Sequence, residues 1–199
     1  MMEVGPTAVR LILASASPRR RELLRQSGFD PIVHPANIDE DAVPPGLSPR
    51  ELALHLARSK ALAVAGIFPD DLVLGADTVV AVGASCMSKP ADQADARRML
   101  RLLSGTTHQV ITGVCLLGQA RKLCVLKVIQ STVRMRPLSE AQIEACLADG
   151  QWRGKAGAYG IQDNDPFVQR IDGSYSNIVG LPMEATARML ADAGIFTQR

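Results

Sequence analysis

The stretch Leu11-Ile12-Leu13-Ala14-Ser15-Ala16-Ser17-Pro18-Arg19-Arg20-Arg21-Glu22-Leu23-Leu24 reads as a buried strand, a hydroxyl-rich turn and a helix that begins among three arginines. Pro18 suits the first helical position because its φ is fixed and it lacks an N–H, and Ser17 can cap the free N–H groups there. The N-terminus of that helix carries roughly half a positive charge, so Arg19, Arg20 and Arg21 in its first turn oppose the dipole by a few tenths of a kcal/mol each. Arg20 also occupies the position where a capping box would put Glu or Gln. A bound anion such as phosphate explains this reversal; the alternative is a solvated basic turn.

The bulk properties narrow the class of protein. A chain of 199 residues with 47% hydrophobic content can bury a sizeable core as one domain or two tightly apposed lobes. Basic and acidic residues nearly balance, 22 against 20, and aromatics make up only 4%, which disfavours nucleic-acid binding. No apolar run is long enough to span a bilayer. Residues 1–10 contain Glu3, Gly5 and Pro6 where a signal peptide needs a hydrophobic stretch, so a cytoplasmic protein without a membrane partner is expected. Cys86, Cys115, Cys124 and Cys146 form no C-x-x-C pair, and His34, His55 and His108 show no metal-ligand spacing. Reduced structural thiols and buried or incidental histidines are expected. His108 follows a helix stop, which puts it within range of a cleft.

Along the chain, Gly28 is expected to end the first helix and Pro31 to His34 to form a short strand before the acidic turn Asp39-Glu40-Asp41. Ser48-Pro49-Arg50-Glu51 is a capping box, and Leu52, Leu56 and Ala63 continue its helix to about Ala65. Leu72 to Val82 has the β-branched content of a strand buried on both faces. A helix over Asp92 to Leu103 stops at Gly105, strands follow at Val110 to Leu117 and Leu123 to Val133, and Ser139 opens a helix ending near Gly150. Phe167 to Ile171 is expected to pair with Tyr175 to Val179 across Asp172-Gly173-Ser174, and a last helix to follow Pro182. Helices interspersed among strands, with no repeat or linker, point to an α/β fold built on one central mixed sheet. The whole of residues 1–199 reads as a single domain with a flexible tail over residues 1–9.

Asp77 is the second strong signal. A carboxylate in Leu-Val-Leu-Gly-Ala-Asp-Thr-Val-Val is costly to bury without compensating charge or hydrogen bonds. A metal ion, a lysine partner or a water to be activated would each explain it, as would backbone N–H groups at a bulge beside Gly75. Glu40 reads either as a second metal-binding carboxylate or as a solvated loop residue. Lys60 and Lys89, with Arg19 and Arg20, would supply the positive charge that a triphosphate requires if the fold brings them together. The loop Gly157-Ala158-Tyr159-Gly160-Ile161-Gln162 lets backbone approach a ligand closely and ends in a side chain that both donates and accepts. Neither a P-loop nor a dinucleotide fingerprint is present.

Taken in order, Leu13-Ala14-Ser15-Ala16-Ser17-Pro18-Arg19-Arg20, Lys60-Ala61, Gly75-Ala76-Asp77-Thr78-Val79-Val80, Lys89-Pro90, Leu103-Ser104-Gly105-Thr106-Thr107-His108, Lys155-Ala156-Gly157-Ala158-Tyr159-Gly160-Ile161-Gln162 and Val179-Gly180-Leu181-Pro182 closely resemble the Maf family of nucleoside triphosphate pyrophosphatases. The resemblance implies a central mixed, twisted sheet flanked by helices, with two lobes around a deep substrate cleft. It implies hydrolysis between the α- and β-phosphates to a nucleoside monophosphate and pyrophosphate, with a divalent cation, Mg²⁺ or else Mn²⁺ or Co²⁺. Carried over by motif, Asp77 matches the general base and a metal contact, Glu40 the acidic metal-binding position, and Ser15, Arg19, Arg20, Lys60 and Lys89 the substrate and phosphate positions. A homodimer is implied as well.

Arg19, Thr78 and Gln162 together look like the branch of the family that acts on dTTP and UTP. The branch acting on 7-methyl-GTP tends to carry Trp and Glu in place of Arg19 and Gln162. The physics agrees, because Arg19 would repel a cationic methylated purine and the Gln162 carboxamide can pair with N3–H and a carbonyl of uracil or thymine. The turn before Lys89 departs from the family: it reads Cys86-Met87-Ser88 where relatives often carry Glu or Gly. The alternatives are a 7-methyl-GTP or broad-specificity pyrophosphatase, and a non-catalytic regulator of septum formation.

Overall fold

The computed structural model describes residues 9–83, 85–162 and 167–197. Of the tail expected over residues 1–9, residues 1–8 lie outside the described residues. β1 (Leu11–Leu13) passes through the serine turn into α1 (Pro18–Gln26), where Ser17 Oγ accepts from the Arg20 N–H at 3.4 Å. β2 (Ile32–Val33) is followed by α2 (Pro49–Ala65), which opens on the expected capping box between Ser48 and Glu51. Next come β3 (Leu72–Val82), β4 (Ser85–Met87), α3 (Gln93–Leu103), β5 (Thr107–Gly118), β6 (Leu123–Met135) and α4 (Glu140–Ala148). A 3₁₀ turn at Ala156–Ala158 precedes β7 (Val168–Asp172), α5 (Tyr175–Val179) and α6 (Met183–Asp192). No helix among the described residues is long and apolar enough to cross a membrane.

The strands make one mixed sheet in the order β2-β1-β3-β5-β6-β7, with β4 also paired to β3. β2, β1 and β3 run parallel, while β5, β6 and β7 continue antiparallel. β3 is shared in a way that matters for function. Its first residues, Leu72 to Leu74, pair with β1, and its last, Val80 to Val82, pair with β4 on the same side. Between them, residues 75–79 are paired on one side only, to β5. The sheet thus opens a gap beside Asp77 and Thr78.

Strand alternation sends these two neighbours to opposite faces. Val73, Val79 and Ala81 pack on the α2 side with Ala53, Ala57 and Ala61, and Asp77 shares that side. Leu72, Leu74 and Ala76 pack on the other side with Leu24, Leu181, Met189 and Leu190, and Thr78 shares it. α2 lies very close to the sheet. A Cβ added at Gly75 would collide with the Ala57 carbonyl oxygen and the Ala61 nitrogen, and one added at Gly113 with the backbone of Ala53 and Leu54. The buried face of α2 is Ala53, Leu56, Ala57, Lys60, Ala61, Val64 and Ala65. Ala63, expected on that face, is exposed.

Of the alternatives for Asp77, the bulge beside Gly75 is excluded, because β3 keeps unbroken register with β5 from Val73 to Ala81; the glycine is needed for the helix above it. Two other expectations are corrected. Tyr175 to Val179 is a helical turn rather than the second strand of a hairpin. Ser174 caps it by accepting from the Asn177 N–H at 3.3 Å, and the buried Asn177 side chain donates to Val110 O and Ser131 Oγ, each at 3.0 Å. β7 pairs with β6 instead. β4 is a strand where only a turn was expected, and it is what closes the far end of the gap in the sheet.

The tight seat of α2 gives a direct test. Gly75→Ala should cost about 3 kcal/mol in urea unfolding, because overpacking against backbone cannot relax by a rotamer change. Gly66→Ala, at the α2 cap with φ of −67° and open space around it, should leave stability within about 1 kcal/mol or raise it.

Candidate active site

The gap in the sheet opens into a cavity of about 420 Å³, within the range of small-molecule sites. Ser15, Arg19, Arg20, Glu40, Lys60, Asp77, Thr78, Lys89 and Gln162 all line it, so the fold brings every residue singled out in the sequence to one place. α1 and the turn before it supply Ser15, Arg19 and Arg20; α2 supplies Lys60; β3 supplies Asp77 and Thr78.

Lys60 and Asp77 form a buried ion pair, each about 5% exposed, with Nζ to Oδ1 at 2.5 Å. The same ammonium reaches Glu40 Oε1 at 2.9 Å. Lys89 lies 3.4 Å from both oxygens of Glu40 on the solvent side. Burial alone would raise the Glu40 carboxyl, but hydrogen bonding and charge from Lys60, then from Lys89, hold it below the ordinary value. Two carboxylates therefore converge on one cation.

On the opposite face of β3 the buried Arg20 guanidinium donates to Gly180 O at 2.8 Å, Ser15 Oγ at 3.1 Å and Thr78 Oγ1 at 3.2 Å. Burial lowers its pKa, with the charge of Asp77 opposing that shift, yet a guanidinium stays charged at any working pH. All three acceptors are neutral, and two of its five N–H groups are left for a ligand. Thr78 Oγ1 lies 3.0 Å from Thr112 Oγ1, and the Thr112 hydroxyl donates to Asn177 O at 3.2 Å, which ties the cluster to α5. Arg19 donates to Gly154 O at 2.8 Å across the cavity, and burial lowers its pKa as well.

Arg153, Lys155, Tyr159 and the Gly180 carbonyl also line the cavity and were not singled out as site residues. Among the described residues, six cationic side chains (Arg19, Arg20, Lys60, Lys89, Arg153 and Lys155) thus face two carboxylates in a chain of net charge only +2. Such a concentration of positive charge suits a polyanion. Nothing local marks the Gly180 carbonyl in the sequence, because its role depends on the turn after α5 facing α1.

His108 stands behind the cavity wall rather than in it. Its Nε2 shares a 2.6 Å hydrogen bond with the Tyr159 hydroxyl, Nδ1 is buried without a partner, and burial pushes its pKa down to about 4. The cysteines are all free, and burial pushes the Cys115 thiol up to about 12, as expected of structural thiols.

The cavity thus joins a mixed α/β sheet, a buried carboxylate–ammonium pair and a set of cations, an arrangement whose charge suits an anionic ligand. The match to the family model for Maf-like proteins covers residues 10–193, and the chain belongs to that family. It is 49% identical over 190 residues to a dTTP/UTP pyrophosphatase of Anaeromyxobacter dehalogenans, covering 94% of this chain and 95% of that one. It is 47% identical to proteins of the same name from Sphingopyxis alaskensis, over 187 residues, and Brucella abortus, over 196 residues. Each covers 93% of this chain, and the alignments span 97% and 92% of the respective relatives.

The buried histidine predicts a pH dependence of stability. A histidine whose folded pKa lies near 4 and whose unfolded pKa lies near 6.5 binds its proton more readily when unfolded, so stability falls as pH drops through that window. The loss attributable to His108 should approach about 3 kcal/mol below pH 4. Urea unfolding at a series of pH values should show it, and His108→Gln should flatten that part of the curve.

Proposed function

We propose that this protein hydrolyses dTTP and UTP between the α- and β-phosphates, giving the nucleoside monophosphate and pyrophosphate. The observation that carries this reading is the Lys60–Asp77 pair at the base of a cationic cavity, in a chain close to half identical to proteins named for that activity. Asp77 is the general base: it accepts a proton from a water aligned with the α-phosphorus, and general-base catalysis of this kind contributes about 10²–10⁴-fold. Arg20, with two N–H groups unused by the protein, binds phosphate oxygens, and Ser15 and Thr78 fix its plane. Lys60, Lys89 and Arg19 neutralise the charge that builds on the departing pyrophosphate. No covalent intermediate is needed.

The donor set fits a hard divalent cation such as Mg²⁺, with Mn²⁺ or Co²⁺ as substitutes. Glu40 and Asp77 present carboxylate oxygens to a point already occupied by a cationic group, and Mg²⁺ is commonly held by one or two carboxylates completed by substrate phosphates and water. With two protein carboxylates, the remaining positions fall to substrate phosphates and water. When bound, the cation supplies further neutralisation of the phosphate chain.

Gln162 selects the base through its carboxamide, matched to the N3–H and a carbonyl of uracil or thymine, and Arg19 disfavours a cationic purine. The test is to incubate the protein with UTP, dTTP, GTP and 7-methyl-GTP, with and without Mg²⁺, and to separate the products by ion exchange. UMP and dTMP should appear with pyrophosphate only when Mg²⁺ is present, and Asp77→Asn should slow the reaction by about 100-fold or more. UDP with inorganic phosphate would place cleavage at the γ-phosphate and overturn the reading.

A further inference from the structure

We propose that Lys60 is a placeholder for the divalent cation: in the substrate-free protein its ammonium occupies the carboxylate oxygens that a metal would use, and loading of the site exchanges one for the other. This inference rests on the reading of Glu40 and Asp77 as metal-binding residues. Lys60 Nζ lies at 2.5 Å from Asp77 Oδ1 and 2.9 Å from Glu40 Oε1, which commits two of its three donors to those oxygens. A dication on the same oxygens would sit within close range of Nζ and repel it. Sharing Asp77 Oδ1 would hold two cationic groups in contact, which favours one occupant over both.

The surroundings suit an exchange. A buried ammonium needs anionic or hydrogen-bonding partners wherever it points, and Lys60 is 5% exposed. Its stem rises from the face of α2 that packs on the sheet, and its head opens into the cavity. The oxygens of an incoming phosphate chain would replace the carboxylates as its acceptors. Asp77 is fixed in the ladder of β3, whereas Glu40 lies on a bend with its side chain 39% exposed and a second cation, Lys89, at hand. Metal affinity should therefore be weak in the free protein and rise when nucleotide draws Lys60 away.

The test is Mn²⁺ binding at neutral pH, read from the free-ion signal in electron paramagnetic resonance, without nucleotide and with a non-hydrolysable methylene analogue of UTP. Lys60→Met keeps the unbranched stem up to the position of Cε and removes the charged head. It should bind Mn²⁺ about tenfold more tightly than the wild type without nucleotide, whereas Lys60→Arg should stay at the wild-type value. The Tm of Lys60→Met should also rise more on adding Mn²⁺ than that of the wild type. If Lys60→Met does not fold, Lys60→Gln serves with the same expectation. Mn²⁺ uptake that depends on Asp77 and Glu40 but is no tighter in the neutral variants would overturn the exchange and leave the metal reading intact. Uptake unaffected by Asp77→Asn and Glu40→Gln, or absent from every protein with and without the analogue, would instead overturn the metal reading and the exchange with it.

Discussion

The Lys60–Asp77 pair depends on a contact made entirely by small groups. α2 rests on the sheet at Gly75 and Gly113, and the part of the helix that touches them is built from Ala53, Ala57 and Ala61. Any larger residue on either side would lift the helix and take Lys60 out of reach of Asp77. A buried ion pair is a poor stabilising device, since the loss of hydration offsets most of the attraction. What the fold gains is a carboxylate and an ammonium held largely out of solvent, where each interacts strongly with whatever charge arrives. The packing of these five alanines and glycines is thus the mechanical basis of the proposed chemistry.

The gap in the sheet does the rest of the positioning. Because residues 75–79 of β3 are paired on one side only, adjacent residues can serve two faces of the strand around a single open edge. Asp77 meets Lys60 and Glu40 on the α2 side, and Thr78 meets Arg20 on the α1 side. The six cations among the described lining residues would repel one another, and several are held by oxygens of the protein. Arg20 has a carbonyl and two hydroxyls, Arg19 has the Gly154 carbonyl, and Lys60 and Lys89 have carboxylates. A polyanion entering this cavity exchanges partners with the protein rather than ordering loose side chains, which lowers the entropy cost of binding.

The parts of this arrangement that are local in sequence are legible there. The Ser17-Pro18 start of α1, the capping box at Ser48 and the out-of-place Asp77 each announce themselves within a few residues. Contacts between distant segments are not legible in that way. The need for glycine at position 75 is not legible locally because the partner that requires it, α2, is fixed only by packing; the alanines at 53, 57, 61 and 65, one per helical turn on its buried face, were the available signal. Tyr175 to Val179 has a strand-like composition, and the buried side chain of Asn177, bonded to β5 and β6, decides for helix. That the nine site residues share a cavity follows from the sheet order, which no single segment encodes.

The two ends of the cavity are built differently, and this bears on how such a protein would change its substrate. Apart from Lys89, the side chains proposed to act on the phosphates sit on or next to β3, α1 and α2, where a ladder of hydrogen bonds and a close-packed helix fix them. Gln162, proposed to read the base, stands at the end of a loop that includes Gly157 and Gly160, steadied from behind by the bond between Tyr159 and His108. Loops accept substitution more readily than a packed sheet does. A change at the loop would therefore leave the strand that carries Asp77 undisturbed, whereas a change at Arg19, proposed to serve both the base and the phosphates, would touch both. On the proposed reading, the geometry around Asp77 is set by tertiary packing and base selectivity largely by a few side chains on the cavity wall.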